Sequence, residues 1–386
     1  MQLSRPPHGP RPRAVAAAVC FALLAASVSA CGATEKLTTG LKVRNAVEKL
    51  GERPSASVTA SVDGSARQAY AFLERTRGDA ATHKDAVRLA RAELTVAAGS
   101  GSEETPLKDM RGSDATNVAA ALNFGGRDFA AVKSVRDKLY LRVSLRSLVR
   151  QTGGSQGARR TAAEIVALAD DLPVSLGGAR DALQGKWVRA DPEQFDEFAT
   201  AAQTLAERRA KRADDGNGGS DGQQSDRQRE EAERSREFRD AVTVGSALDG
   251  QSQRAFVKGV QKLLREHATF TGEGEHGGAD RVRMTLPGRE SAKDLVGALK
   301  ALGADIDPKR VPDGDITAGL AIRNGQLTSL TLDLGQFTGD GTRLPLRLDF
   351  GAGEAVPVTA PGGAKEIEPQ DLLAAFMYGA LGTENL

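Results

Sequence analysis

The side chains that most often carry chemistry are sparse in this sequence. Its 2 cysteines are Cys20 and Cys31, and its 4 histidines are His8, His83, His267 and His276. The histidines lack the spacing that aims two imidazoles at one metal, and no His-Glu-x-x-His occurs. Each therefore reads as a surface or capping residue. Asp305, Asp307, Asp313 and Asp315 invite comparison with a calcium loop. Lys309 stands where an oxygen ligand belongs, however, and Pro308 and Pro312 disturb the loop, so turn and cap roles fit better. Gly154-Ser155-Gln156-Gly157 is a flexible turn rather than a nucleophile elbow, and no Walker loop is present. No catalytic, cofactor-binding or metal site follows from the sequence, and the chain reads as non-enzymatic.

Cys31 is the exception. Arg5, Arg11 and Arg13 form a basic start without acids, Ala14 to Ala26 is an uncharged apolar run, and Ser27 to Ala30 are small. That order is a secretory signal, too short for a spanning helix of about 20 apolar residues. Val28-Ser29-Ala30-Cys31-Gly32 resembles the bacterial lipobox, in which the cysteine is thioether-linked to diacylglycerol and becomes the acylated N-terminus. The reading is a signal peptide over 1–30, lipidation at Cys31, and a short tether over 31–40. The expected location is the extracytoplasmic face of the cell membrane. Two or three acyl chains, at about 0.8 kcal/mol per buried methylene, suffice to hold it there.

Composition excludes other classes. With the three signal arginines removed, 49 basic residues face 51 acidic ones, which gives no basic surface for nucleic acid. Thr34 to Leu386 contains no cysteine, so the mature fold has no disulfide and depends on an apolar core.

The elements that would position any site read as follows. Val43, Val47 and Leu50 mark an amphipathic helix stopped by Gly51. Ser57–Val62 and Ala92–Ala98 are strands flanking a mainly helical stretch over 66–92. Val118–Phe124 and Asp128–Val135 are strands, and Leu139, Leu141, Val143 and Leu145 alternate as a half-buried antiparallel strand. Trp187-Val188 is a short strand, and Asp191-Pro192 opens a helix through Phe195 and Phe198. Residues 206–239 are charged or small and polar, and are expected to be a largely disordered insertion within a domain spanning 41–386.

Helices bearing Leu263 and Leu295 frame two strands, Ala268–Glu275 and Ala279–Leu286. Ile316, Ala318, Leu320 and Ile322 run into the hairpin turn Asn324-Gly325. A bulge is expected near Thr328-Ser329 on the return strand. Leu344, Leu346, Leu348 and Phe350 alternate in a strand that Pro345 should confine to an edge or a bulge. Val356–Ala360 is a last strand, and Pro369 starts a helix bearing Leu372, Leu373 and Phe376. Hairpins with an apolar face, interrupted by amphipathic helices, make an α+β architecture. The apolar stripes themselves read as ordinary core.

Three stretches carry a resemblance. They are Asp137–Arg142, Gly185-Lys186-Trp187-Val188, and the run from Ile322–Leu327 through Leu346–Phe350 to Val356–Pro361. Together they are similar to actinobacterial lipoproteins of the LppX/LprG type, with a LolA/LolB-like half-barrel. The resemblance implies a curved antiparallel sheet with helices on its concave face and, in relatives, an apolar cavity for acyl chains. It transfers no ligand-contacting residue. The expected partners are thus the membrane, through the lipid anchor, and a lipid or other lipophilic ligand. The alternative is an envelope scaffold with a closed core and an envelope protein partner.

Overall fold

The computed structural model describes residues 34–100, 105–109, 117–136, 138–151, 155–191, 194, 250–300, 311–338, 341–352, 358–371 and 373–375. Cys31, the helix expected through Phe195 and Phe198, the insertion 206–239, and Asp305 and Asp307 lie outside these residues. In chain order the elements are α1 (Thr34–Gly51), β1 (Ser55–Val62), α2 (Ala66–Arg77), α3 (His83–Leu89), β2 (Ala92–Gly99), β3 (Asn117–Phe124) and β4 (Arg127–Val135). Next come β5 (Lys138–Val143), α4 (Leu145–Gln151), α5 (Gln156–Asp171), α6 (Gly177–Leu183) and β6 (Val188–Ala190). The last are α7 (Gly250–His267), β7 (Thr269–His276), β8 (Ala279–Pro287), α8 (Gly288–Lys300), β9 (Asp315–Arg323), β10 (Gln326–Asp333), β11 (Pro345–Ala352) and β12 (Lys365–Ile367). The mixed α and β composition with antiparallel hairpins is as the sequence implies.

The chain forms two compact units, one of Met1–Asp137 with Leu248–Ala360 and one of Lys138–Ala247 with Pro361–Leu386. In the first unit the strands run β4-β3-β2-β1-β11-β10-β9-β8-β7, each antiparallel to its neighbours. This sheet is open, with β4 and β7 at opposite ends of the order. Asn324 and Gly325 close β9–β10 with φ of 53° and 70°, the left-handed pair that a two-residue turn requires. The expected bulge is present as a register shift between Leu327 and Ser329.

Local signals explain the helix starts. Ser65 caps α2 in a capping box with Gln68, and Thr82 caps α3 by accepting from the Asp85 amide. α1 starts at Thr34, three residues after Cys31, so most of the expected tether is helix. Its buried stripe, Val43, Ala46, Val47 and Leu50, packs on Phe270, Val282, Leu320, Ile322 and Leu327. Leu327 is 0% exposed. Truncating it to alanine should cost about 3 kcal/mol, read as a lower urea midpoint at unchanged slope. A midpoint equal to that of the parent protein would show that this cluster does not hold the unit together.

Three expectations need correction. β11 is not an edge strand but pairs with both β1 and β10, and Pro345 is its first residue. A proline there forfeits no interior ladder bond, which is why the sheet accepts it. The strand expected through Leu145 ends at Val143, and Leu145 opens α4. Both of its sides are partly covered, since Leu139 and Leu141 are half-buried, with Leu141 against Val188, Ala190 and Ile367, while Tyr140 on the other side is buried and Val143 is 43% exposed. The described end of the expected Val356–Ala360 strand, Val358–Ala360, is not strand. Val358 instead turns inward, its carbonyl accepting from Asn117 Nδ2 at 3.1 Å.

The second unit places β6 antiparallel to β5 and parallel to β12, a three-residue strand with no alternation to betray it. Leu172, Ala179 and Ala375 form one core cluster, while Val188, Ala190 and Ile367 form another. Leu373, expected on the apolar side of the last helix, is 49% exposed. Asp181 of α6 is buried and meets Lys365 Nζ at 2.9 Å and Lys186 Nζ at 3.2 Å. Burial alone would raise its pKa, but the hydrogen bonds from Lys365 and Lys186 outweigh it and hold the carboxyl below the usual aspartate value of 3.8. A depressed pKa stabilises the folded state above the unfolded value, and the benefit is lost as pH falls through the folded one. Asp181→Asn should therefore cost about 2 kcal/mol at neutral pH. In denaturation curves taken at descending pH, that gap should shrink only below pH 3.8. A gap that does not vary with pH would show the ion pairs to be idle.

Candidate functional site: an aliphatic sheet face

Side chains alternate across a sheet, and residues directly opposite one another share a face. The observed registers therefore define one face of the first unit. Across it lie Val282, Leu320, Leu330, Leu348, Ala60, Leu94 and Leu122, one from each strand from β8 to β3. Flanking rows add Phe270, Met284, Ala318, Leu332, Leu346 and Val62 on one side and Phe350, Val58, Val96, Ala120 and Val132 on the other. A single aliphatic surface spans the unit.

Helices cover part of it. α1 packs over the β7–β10 region. Leu263 of α7 and Leu295 of α8 pack on Leu286 and Ile316. Ala69 and Leu73 of α2, with Ala86 of α3, close on Leu344 and Val62. Leu107 caps the end near Ala56 and Ala98. Between these covers the strands stay open. Ala60, Val96, Ala120, Leu122, Val132 and Leu348 are half-buried, and Leu94 is 45% exposed. An apolar area of this kind is costly to leave in water.

The opposite face is polar. Thr59 and Thr95 share a hydrogen bond of 3.0 Å. Arg347 donates twice from Nε to the Asp349 carboxylate, at 2.9 and 2.8 Å, and once from its terminal nitrogen at 2.7 Å. That hydrogen-bonded carboxylate raises the Arg347 pKa further. Arg347 and Asp349, with Ser61, Asp63, Arg91 and Glu93, line an open hollow of about 350 Å³. The two faces of one sheet are thus of opposite character.

The remaining sequence candidates are dispersed. His83 lies against the Tyr70 ring with centroids 4.0 Å apart. His276 is exposed at the end of β7, and His267 Nε2 is 3.0 Å from Asp294 Oδ2. Asp313 pairs with Arg289, whose hydrogen bond and charge lower its pKa, and Asp315 opens β9. Neither forms part of a calcium loop among the described residues. In the resembling stretches, Lys138–Arg142 falls on β5, Ile322–Leu327 on the β9–β10 turn and Leu346–Phe350 on β11.

Sequence reasoning found the strands of the aliphatic face but not the face. Alternation at Val58-Ala60-Val62 and Leu94-Val96-Ala98 was the available signal, yet it is silent on which strands pair and which helix covers them. No protein-family model and no curated protein sequence matches the chain.

Proposed function

We propose that the protein is a non-enzymatic lipoprotein, anchored through Cys31 at the extracytoplasmic face of the membrane, that binds or carries a lipid or other lipophilic ligand. The ligand lies against the open aliphatic face, and the sheet serves as a LolA-like half-barrel. The observation that carries this reading is the half-exposed row Ala60, Leu94, Leu122 and Leu348, left between helices that cover the rest of the same face. The anchor supports it, because α1 starts three residues after Cys31 and packs on that sheet.

The energetics suit exchange. Moving an alkyl chain through water costs about 0.8 kcal/mol per methylene, whereas moving it between bilayer and an apolar protein face costs little. A protein held at the headgroups can therefore load and unload without the aqueous penalty. Organic-solvent extraction of the purified mature protein, followed by mass spectrometry, should yield lipid, and stripped protein should take lipid up again. Lipid-free preparations that also fail to bind would reject the reading. Cys31→Ser should move the protein from the membrane to the soluble fraction; persistence in the membrane would reject the anchor.

A second reading rests on the polar hollow over Arg347, Asp349 and Glu93, which fits a polar partner and an envelope scaffold role. In that case deletion of residues 210–235 removes a pull-down partner while lipid content stays at background.

A further inference from the structure

We propose a divalent transition-metal site formed by His267, Asp294 and Glu266, where the end of α7 meets α8. It uses none of the residues of the aliphatic face. One imidazole nitrogen and two carboxylate oxygens, drawn from two helices, lie within 4.8 Å of one another. His267 Nε2 and Asp294 Oδ2 are 3.0 Å apart. Ligands at about 2.0 Å from a tetrahedral zinc stand about 3.3 Å apart, close to the 3.0 Å between His267 and Asp294, while the Glu266 carboxylate, within 4.8 Å of both, has to swing inward to join them. The nitrogen-and-carboxylate set suits zinc or its neighbours rather than calcium, which takes oxygen ligands alone.

Two further observations point to a cation here. Glu266 and His267 end an 18-residue helix, and the partial negative charge of that terminus attracts positive charge. A cation already occupies the cluster, since Lys262 Nζ lies 2.8 Å from Asp294 Oδ1 and 3.8 Å from Glu266 Oε2. One ammonium against two carboxylates leaves the group net negative while His267 is neutral. The metal would replace the Lys262 ammonium, which stays protonated and swings to solvent from a position already half exposed. Neutral His267 would donate its Nε2 lone pair, with the remaining coordination positions left to water.

The competition between Lys262 and metal makes the test selective. Chelator-stripped full-length protein is titrated with cobalt(II), followed by its visible ligand-field absorption, and then displaced with zinc. A saturable one-to-one spectrum is expected. His267→Gln and Asp294→Asn should each weaken binding by more than about tenfold, and Lys262→Met should tighten it by about tenfold. Circular dichroism checks that each variant is folded, and Glu266→Gln, at an exposed position, provides a further ligand loss. The proposal is overturned by the absence of saturable binding, by binding that His267→Gln leaves intact, or by weakening in Lys262→Met. The last result would identify the four residues as an ion-paired clamp between helices.

Discussion

A carboxylate introduced at Leu94 is expected to strip the protein of lipid while leaving it folded. Leu94 is 45% exposed in the row of aliphatic side chains that the covering helices leave open. A change there removes little buried area, so Leu94→Asp should alter stability by less than about 1 kcal/mol. A bound acyl chain would, however, bury that carboxylate without a partner, at a cost of several kcal/mol. Lipid affinity should therefore fall by at least about a hundredfold. The measurement is lipid per protein after purification, together with rebinding of a fluorescent fatty acid to stripped protein. Val174→Asp is the control, because Val174 is 88% exposed and belongs to the second unit. Equal lipid content in both variants would remove the aliphatic face from the function and leave the scaffold reading.

The largest stability effect is expected at Gly335. Asp333 accepts from the Gly335 amide at 3.0 Å and the Leu344 amide at 2.8 Å, folding the segment between β10 and β11 back on itself. A β-carbon on Gly335 would come 1.5 Å from the Thr342 carbonyl oxygen. Backbone cannot yield like the end of a flexible side chain, so Gly335→Ala must open this segment. With it goes Leu344, which is 0% exposed and joins α2 and α3 to the sheet. A loss of about 4 kcal/mol is expected from urea denaturation. Gly341→Ala separates this clash from left-handed strain. Gly341 has φ of 78° with open space around it, so its variant should lose only about 1–2 kcal/mol. Equal losses at both positions would refute the packing argument.

Much of the local structure was legible because its causes are local. The alternation Ile316-Ala318-Leu320-Ile322, the turn Asn324-Gly325 and the out-of-phase Leu327 define a bulged hairpin without reference to anything distant. Ser65 and Thr82 cap α2 and α3 through bonds three residues away, local signals that the reading of 66–92 as one mainly helical stretch passed over. Errors appear where a long-range partner decides. Pro345 is compatible with an edge or with a strand start, and only pairing to both β1 and β10 selects the second. Tyr140 against Val143 is settled by what each side of β5 touches. β12 carries too few residues to show a period, and it exists because β6 offers a parallel neighbour.

The same division holds for the sites. By itself the sequence determined an α+β fold with antiparallel hairpins, a mature chain without cysteine after Cys31, and the expectation of a lipid anchor there. It also marked the aliphatic sides of β9, β10 and β11. The tertiary structure alone decided that these sides join into one face and that the helices leave Ala60, Leu94 and Leu122 open. It alone brought Asp294 to His267 across 27 positions of chain. Periodicity reports which way a side chain points, because that is a property of one strand or helix. What it points at depends on register and coverage, which arise only when distant segments pack.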